Sequence, residues 1–152
     1  MAEYSVSAVE ITDKSAIDLI QKIIKNSKNI DEKSEKYVGL LSAIVFQDLI
    51  DHFEKEAGPN GRWPAWGPKY AAIMAKKGKS GNKLLQDSGT LKGGWAPANY
   101  RTVSDGIVWF NRVRYGKKHN EGIGVKKRQF AWLSGFAIDK LEKQTLDFLK
   151  DV

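Results

Sequence analysis

The sequence predicts an α+β fold: a small, mostly antiparallel β-sheet packed with helices, one long helix in the N-terminal half and a helix at the C-terminus. Three observations carry that expectation. Val38, Leu41, Val45, Leu49 and Phe53 recur at three- and four-residue steps, flanked by Tyr37, Leu40 and Ile44, which is the spacing of a helix with a broad apolar stripe. Ser104, Asp105 and Gly106 separate two β-rich runs, 100–103 and 107–113, and Asp-Gly between such runs signals a hairpin. Ile138, Leu141, Thr145 and Phe148 repeat the helical spacing near the end of the chain.

In chain order, residues 4–11 form a short β-branched run with partial alternation, readable as a strand. Thr12 or Asp13 caps the next helix by accepting free N–H groups of its first turn, and Ile17, Ile20 and Ile24, beside Leu19 and Ile23, give it one apolar face to about residue 26. Residues 26–30 are polar and read as a turn. The long helix then runs from about 31 to 56 and is ended by Gly58, Pro59, Asn60 and Gly61, since proline cannot continue a helix and glycine takes the left-handed conformation. Pro68 opens a short helix reaching about residue 77, at a position where its missing N–H costs nothing. Residues 76–83 form a basic, Gly-rich loop, and 84–95 fit either a short helix or a turn. After the hairpin, 115–127 read as loop and 129–133 as a further strand, and the closing helix is marked by Ile138, Leu141, Thr145 and Phe148. With no internal repeat and no linker, the 152 residues fit a single domain, 1–152.

A hydrophobic fraction of 41% argues for a folded chain. Cysteine is absent, which excludes disulfides and thiolate metal sites. The first eleven residues lack the basic start and apolar run of a signal peptide, and no stretch approaches the roughly 18 apolar residues of a membrane span, so the chain reads as soluble with no membrane partner. The net charge of +7 is unevenly placed: residues 1–56 carry 7 basic and 11 acidic side chains, 57–128 carry 15 and 3, and 129–152 carry 3 and 4. A middle region of net +12 is either a set of solvated lysine-rich loops or a surface for something anionic, nucleic acid or an acidic protein face.

Known catalytic patterns fail on inspection. Gly78-Lys79-Ser80 lacks the earlier glycine of a phosphate loop, because position 73 is Ile73, and Gly122-Ile123-Gly124 lacks the third glycine of a dinucleotide fingerprint, because position 127 is Lys127. Two histidines, His52 and His119, cannot build a multi-histidine zinc site. His52, near the end of the long helix, hydrogen-bonds there or meets the helix dipole. Ser88 would need a glycine two positions earlier to sit in a nucleophile elbow, and that position is Gln86. A base at His119 would need a nucleophile and an orienting carboxylate, and only Glu121 lies near. The expectation is no catalytic residue, no cofactor and no metal.

Four short cues follow one another along the second half: Gly61-Arg62-Trp63-Pro64-Ala65-Trp66, Leu84-Leu85-Gln86-Asp87-Ser88-Gly89-Thr90-Leu91, Tyr115-Gly116-Lys117-Lys118-His119-Asn120-Glu121-Gly122, and Arg128-Gln129-Phe130-Ala131-Trp132-Leu133. In order and spacing they resemble the virion morphogenesis (tail-completion) family of tailed bacteriophages, over most of the chain. The chain departs from that pattern at Thr90, where many members carry Arg or Lys, and at Gln129, where a proline is frequent. The resemblance implies a structural virion protein, assembled in the host cytoplasm, that completes the tail and supports head-tail joining. It also implies a ring of identical subunits, six by the symmetry of phage tails, touching tail-tube or terminator and head-connector proteins, with genomic DNA passing through the lumen. It assigns structural roles to Trp63, Leu85, Gly89, Leu91, Tyr115, His119, Gly122, Arg128 and Phe130.

On the residues themselves, Trp63 reads as a core anchor and Trp66 as either a core residue or an exposed one. Gly89 supplies a positive φ while Leu85 and Leu91 pack inward; because Trp63 and Leu85 occupy positions of the family motifs that look like core anchors, Trp63→Ala and Leu85→Ala are each expected to cost about 2–5 kcal/mol. His119 ties its loop through its ring nitrogens. Lys117, Lys118, Lys126, Lys127 and Arg128 form the densest basic cluster, with no aromatic interleaved in sequence, and the four lysines face DNA or a partner. Two other functions compete: a basic nucleic-acid-binding module, which the +12 region would suit, and, more remotely, a hydrolase using His119.

Overall fold

The computed structural model describes residues 7–9, 18, 32–96, 99–103 and 106–150. Of the expected first strand, β1 (Ser7–Val9) is described. The expected helix over 12–26 lies outside the described residues apart from Asp18, which is helical.

The fold is α+β, with one long helix, a C-terminal helix and two small antiparallel sheets. Helix α1 (Glu32–Lys55) buries Tyr37, Leu41, Val45, Leu49 and Phe53, a strict four-residue series, while Val38 and Ile44 are half-buried and Leu40 is exposed. The buried stripe therefore starts on Tyr37 rather than on Val38. After α1 the left-handed conformation falls to Glu56, with φ +50°, and not to a glycine. Its flanking bonds hold it there: the Glu56 carbonyl accepts from Trp63 N at 2.7 Å and its carboxylate from Leu84 N at 2.5 Å. The Gly-Pro-Asn-Gly stretch forms a miniature hairpin, β2 (Ala57–Gly58) against β3 (Gly61–Arg62), with Gly58 facing Gly61.

Helix α2 (Pro68–Lys76) starts on Pro68 as expected. The ambiguous segment resolves into a turn followed by a single helical turn, α3 (Thr90–Gly93), entered through Gly89 at φ +76°. Strands β4 (Tyr100–Val103) and β5 (Gly106–Asn111) pair antiparallel from Tyr100 opposite Trp109 to Val103 opposite Gly106. That register leaves Ser104 and Asp105 as the connection, and both lie outside the described residues. The sheet order is β1-β5-β4. The chain closes with α5 (Gly135–Lys150).

Two sequence expectations are corrected. Residues 115–127 are not all loop, since α4 (Gly116–Glu121) forms and is stopped by Gly122 in the left-handed conformation at φ +75°. Residues 129–133 are not a strand. Their backbone groups bond to side chains instead of a ladder: Phe130 N and Ala131 N donate to Asn120 Oδ1, the Gln129 carbonyl accepts from Trp63 Nε1, and the Trp132 carbonyl is bonded to His52 Nε2 at 3.0 Å. Paired this way, the segment satisfies its polar groups without a neighbouring strand.

The described residues group into two compact units, one from Met1–Ser7, Leu49–Trp95 and Asn111–Trp132, the other from Ala8–Asp48, Ala96–Phe110 and Leu133–Val152. In the second unit, buried Trp109 donates from Nε1 to Ser42 Oγ at 2.9 Å, and Tyr37 shares a 2.5 Å hydrogen bond with Thr145 while stacking on Phe148. Burial pushes the Tyr37 hydroxyl up to about 12. Ser134 caps α5 through the Ala137 N–H and is itself held by Asp48, whose two carboxylate oxygens accept from Ser134 N and Oγ. The first unit buries Phe53, Trp63, Met74, Leu91, Trp95 and Phe130. Among the described residues no helix is long and apolar enough to cross a membrane.

Candidate functional site

Leu133 apart, the four sequence cues lie in the first unit, and direct bonds join the first, third and fourth. Trp63 is 6% exposed, sits edge-on to Phe53 at 5.5 Å between ring centroids, and donates from Nε1 to the Gln129 carbonyl at 3.0 Å. Arg128 is 7% exposed, and its guanidinium donates to the Pro64 carbonyl at 2.9 Å and the Ala65 carbonyl at 3.2 Å. Its own N–H donates to the His119 carbonyl at 2.8 Å. One arginine thus fastens the tryptophan turn to α4. This removes Arg128 from the exposed basic cluster the sequence suggested: it is buried, and its Nε and Nη2 donate to main-chain carbonyls. Leu91 is fully buried, and a Cβ added at Gly116 would meet Leu91 Cδ1 at 3.0 Å and the Phe130 ring at 3.4 Å, so the second, third and fourth cues share one packing contact.

The loop 83–86 covers the C-terminal end of α1. Lys83 Nζ donates to the Glu54 carbonyl at 2.9 Å and to its carboxylate at 2.8 Å, and Gln86 donates to the Phe53 carbonyl at 2.9 Å. These are the carbonyls a helix end leaves open, and a cation there also suits the helix dipole. Lys92 pairs with the same Glu54 carboxylate, and the two lysines bring that exposed acid down to about 2. Leu85, next to this cap, sits at φ +60°, a conformation uncommon for a residue with a side chain. It is only half-buried. The expectation that it anchors the core as Trp63 does is therefore corrected: its side chain lines a cavity instead.

That cavity is an open groove of about 670 Å³. On one side α2 and the turn before it contribute Trp66, Tyr70 and Met74, residues at four-residue steps, with Trp66 edge-on to Tyr70 at 5.6 Å. On another, Tyr115 and His119 come from α4 and its cap, edge-on to each other at 6.2 Å. Leu85, Asp87 and Ser88 come from the cap loop, and Val125, Lys126 and Arg128 from the segment after α4. Tyr70 is 46% and Tyr115 44% exposed, whereas Met74 is buried. Lys126 Nζ donates to the Ala65 carbonyl at 3.1 Å, which holds its stem across the groove's edge.

His119 does not tie its loop through its ring. Its Nδ1 is buried with no hydrogen-bond partner, and the tie is its main-chain carbonyl. Burial, and then the Arg128 charge, hold its pKa below the ordinary histidine value. The neutral ring is favoured in the folded state, so this contribution to stability is complete above about pH 6.5 and is lost as the pH falls below it. Urea midpoints between pH 8 and 5 should fall with acid, and His119→Gln should flatten part of that decline. An unchanged pH dependence in the variant would refute the assignment.

Ser88, Asp87 and His119 share the groove but form no relay: Ser88 Oγ pairs with Thr90 Oγ1 at 2.7 Å and Asp87 with Lys79 Nζ at 2.5 Å. Among the described residues no group of three His, Cys, Asp or Glu side chains could hold a metal ion. Lys117, Lys118, Lys126 and Lys127 are all exposed. Gly89 and Gly122 hold positive φ at the start of α3 and the end of α4. His52 is buried, stacked on Trp132 at 4.0 Å.

The sequence reading missed the groove's aromatic wall and two asparagines. Asn120 satisfies two N–H groups of the last cue; Asn111 donates to the Leu91 carbonyl at 2.7 Å and accepts from Val113 N at 3.0 Å. The step of four from Trp66 through Tyr70 to Met74 was the available signal for the wall. Comparison of the chain with protein-family models, curated proteins and solved structures finds no match.

Proposed function

We propose that this chain is a structural protein of a tailed-phage particle, completing the tail and supporting its joining to the head as a ring of identical subunits around the genome's path. One observation supports this reading above the rest: the residues that carry the family resemblance are the ones that hold the first unit together. Trp63, Arg128, Leu91 and Phe130 are buried and bonded or packed across the four cues, as a scaffold requires. The polar groups of the cues bind backbone and one another, which suits assembly by surface complementarity. A closed ring repeats one heterologous interface around its axis.

On this reading the exposed lysines at 117, 118, 126 and 127 face a tail, a head connector or DNA. Changing all four to glutamine removes four charges from the surface without touching a buried anchor, so the melting temperature should stay within a few degrees of wild type. In the phage that encodes the chain, the same change should lower the yield of infectious particles, with filled heads and tails seen unjoined by negative-stain microscopy. Normal virions at normal efficiency from a strain lacking the whole gene would overturn the proposal.

A further inference from the structure

We infer that the groove of the first unit is a binding site for single-stranded nucleic acid, with bases stacking on Tyr70, Tyr115 and Trp66 and the phosphates running along the neighbouring lysines. The inference rests on the groove alone and does not need the virion reading. Three observations carry it. The groove's volume of about 670 Å³ is that of a ligand site, and two of its aromatic rings are almost half-exposed at its opening rather than closed into the core. Its surroundings are strongly basic: residues 49–95 and 111–132 together carry 15 Lys and Arg against 5 Asp and Glu. The one acid that lines the groove among the described residues, Asp87, is paired with Lys79 and so opposes an anion little.

The sequence kept these features apart, since no aromatic interleaves the lysine cluster. The fold brings them together: Lys83, Lys126 and Arg128 line the same groove as Trp66, Tyr70 and Tyr115. Aromatic platforms beside a cationic track are what unpaired bases and their phosphates recognise. A duplex keeps its base faces stacked internally and would leave these rings without partners, and reading its major groove calls for an inserted helix or ribbon. An acidic protein segment would answer the charge but not the flat rings.

The test is fluorescence anisotropy with the purified full-length chain and a labelled oligothymidylate, repeated over a salt series. Binding is expected, with its affinity falling as salt rises. Tyr70→Ala with Tyr115→Ala should weaken it about 10- to 100-fold at an unchanged salt slope, because stacking and not charge is lost. Tyr→Phe at both positions should restore affinity, since the ring and not the hydroxyl does the work. Lys126→Gln, at a lysine that lines the groove, should instead lower the salt slope by about 0.7 per lost phosphate contact. Both tyrosines are exposed, and unchanged melting curves will show that the variants fold. The inference fails if the oligonucleotide does not bind at low salt, or if the double alanine variant binds as well as wild type. It fails equally if duplex DNA, polyglutamate or a single thymidine nucleotide competes as strongly as the strand.

Discussion

Replacing Trp63 by alanine is expected to lower the stability of the fold by about 3–5 kcal/mol, the usual loss for emptying a large buried aromatic site. Two separate contributions are removed. The ring fills space beside Phe53 and over Gly58, where even a methyl group would stand 3.4 Å from Trp63 Nε1. The indole N–H satisfies the Gln129 carbonyl, which would otherwise be left without that donor. Trp63→Phe separates the two, keeping most of the packing and losing the hydrogen bond, and should cost about 1–2 kcal/mol. Leu85→Ala, in contrast, should cost less than about 1.5 kcal/mol, because a half-exposed side chain surrenders less buried area and leaves no closed cavity. Urea denaturation read by far-UV circular dichroism gives all three values. If Trp63→Ala unfolds at the wild-type midpoint, or if Leu85→Ala proves the costlier of the two, the tryptophan does not hold the turn.

The contrast between these two residues shows where sequence reading reached and where it stopped. Periodicity located α1 within a residue or two and marked the presence of α5, because each helix buries one stripe and the apolar residues must recur with it, while Pro68 gave the start of α2. The paired strands were legible as two β-rich runs on either side of Asp105-Gly106. What misled was extended apolar sequence without a ladder. Residues 129–133 look like a strand because Phe130 is buried, yet their N–H and carbonyl partners are Asn120, Trp63 and His52, contributed from 10 to 80 residues away. No local pattern encodes such partners. Leu85 was misplaced similarly: a leucine in a motif suggests a core position, but its left-handed backbone turns it to the groove wall. The groove itself was invisible because its walls come from four segments, and the basic cluster lost Arg128 to a buried clamp that only the fold reveals.

Asn111 and Gly94 should be the second position of large effect, and they should fail as a pair. Asn111 is 2% exposed at the end of β5, and its side-chain amide donates to the Leu91 carbonyl and accepts from the Val113 N–H. Gly94 lies against that amide so closely that an added Cβ would sit 2.3 Å from Asn111 Oδ1 and 2.8 Å from Nδ2. Its φ of −67° is one any residue adopts, so backbone strain plays no part in its choice; proximity alone calls for glycine. Asn111→Ala takes the partner from the Val113 N–H and leaves the Leu91 carbonyl with only the longer 3.3 Å bond from Gly94 N, and should cost about 1.5–3 kcal/mol. Gly94→Ala should cost a similar amount by pushing the amide out of its two bonds. Since both substitutions destroy the same pair of hydrogen bonds, the double variant should lose little more than either single one, giving an interaction energy of about 1.5–3 kcal/mol. Additive losses in this double-mutant cycle would mean that the new methyl group harms some neighbour other than Asn111, and the proposed reason for a glycine at position 94 would be wrong.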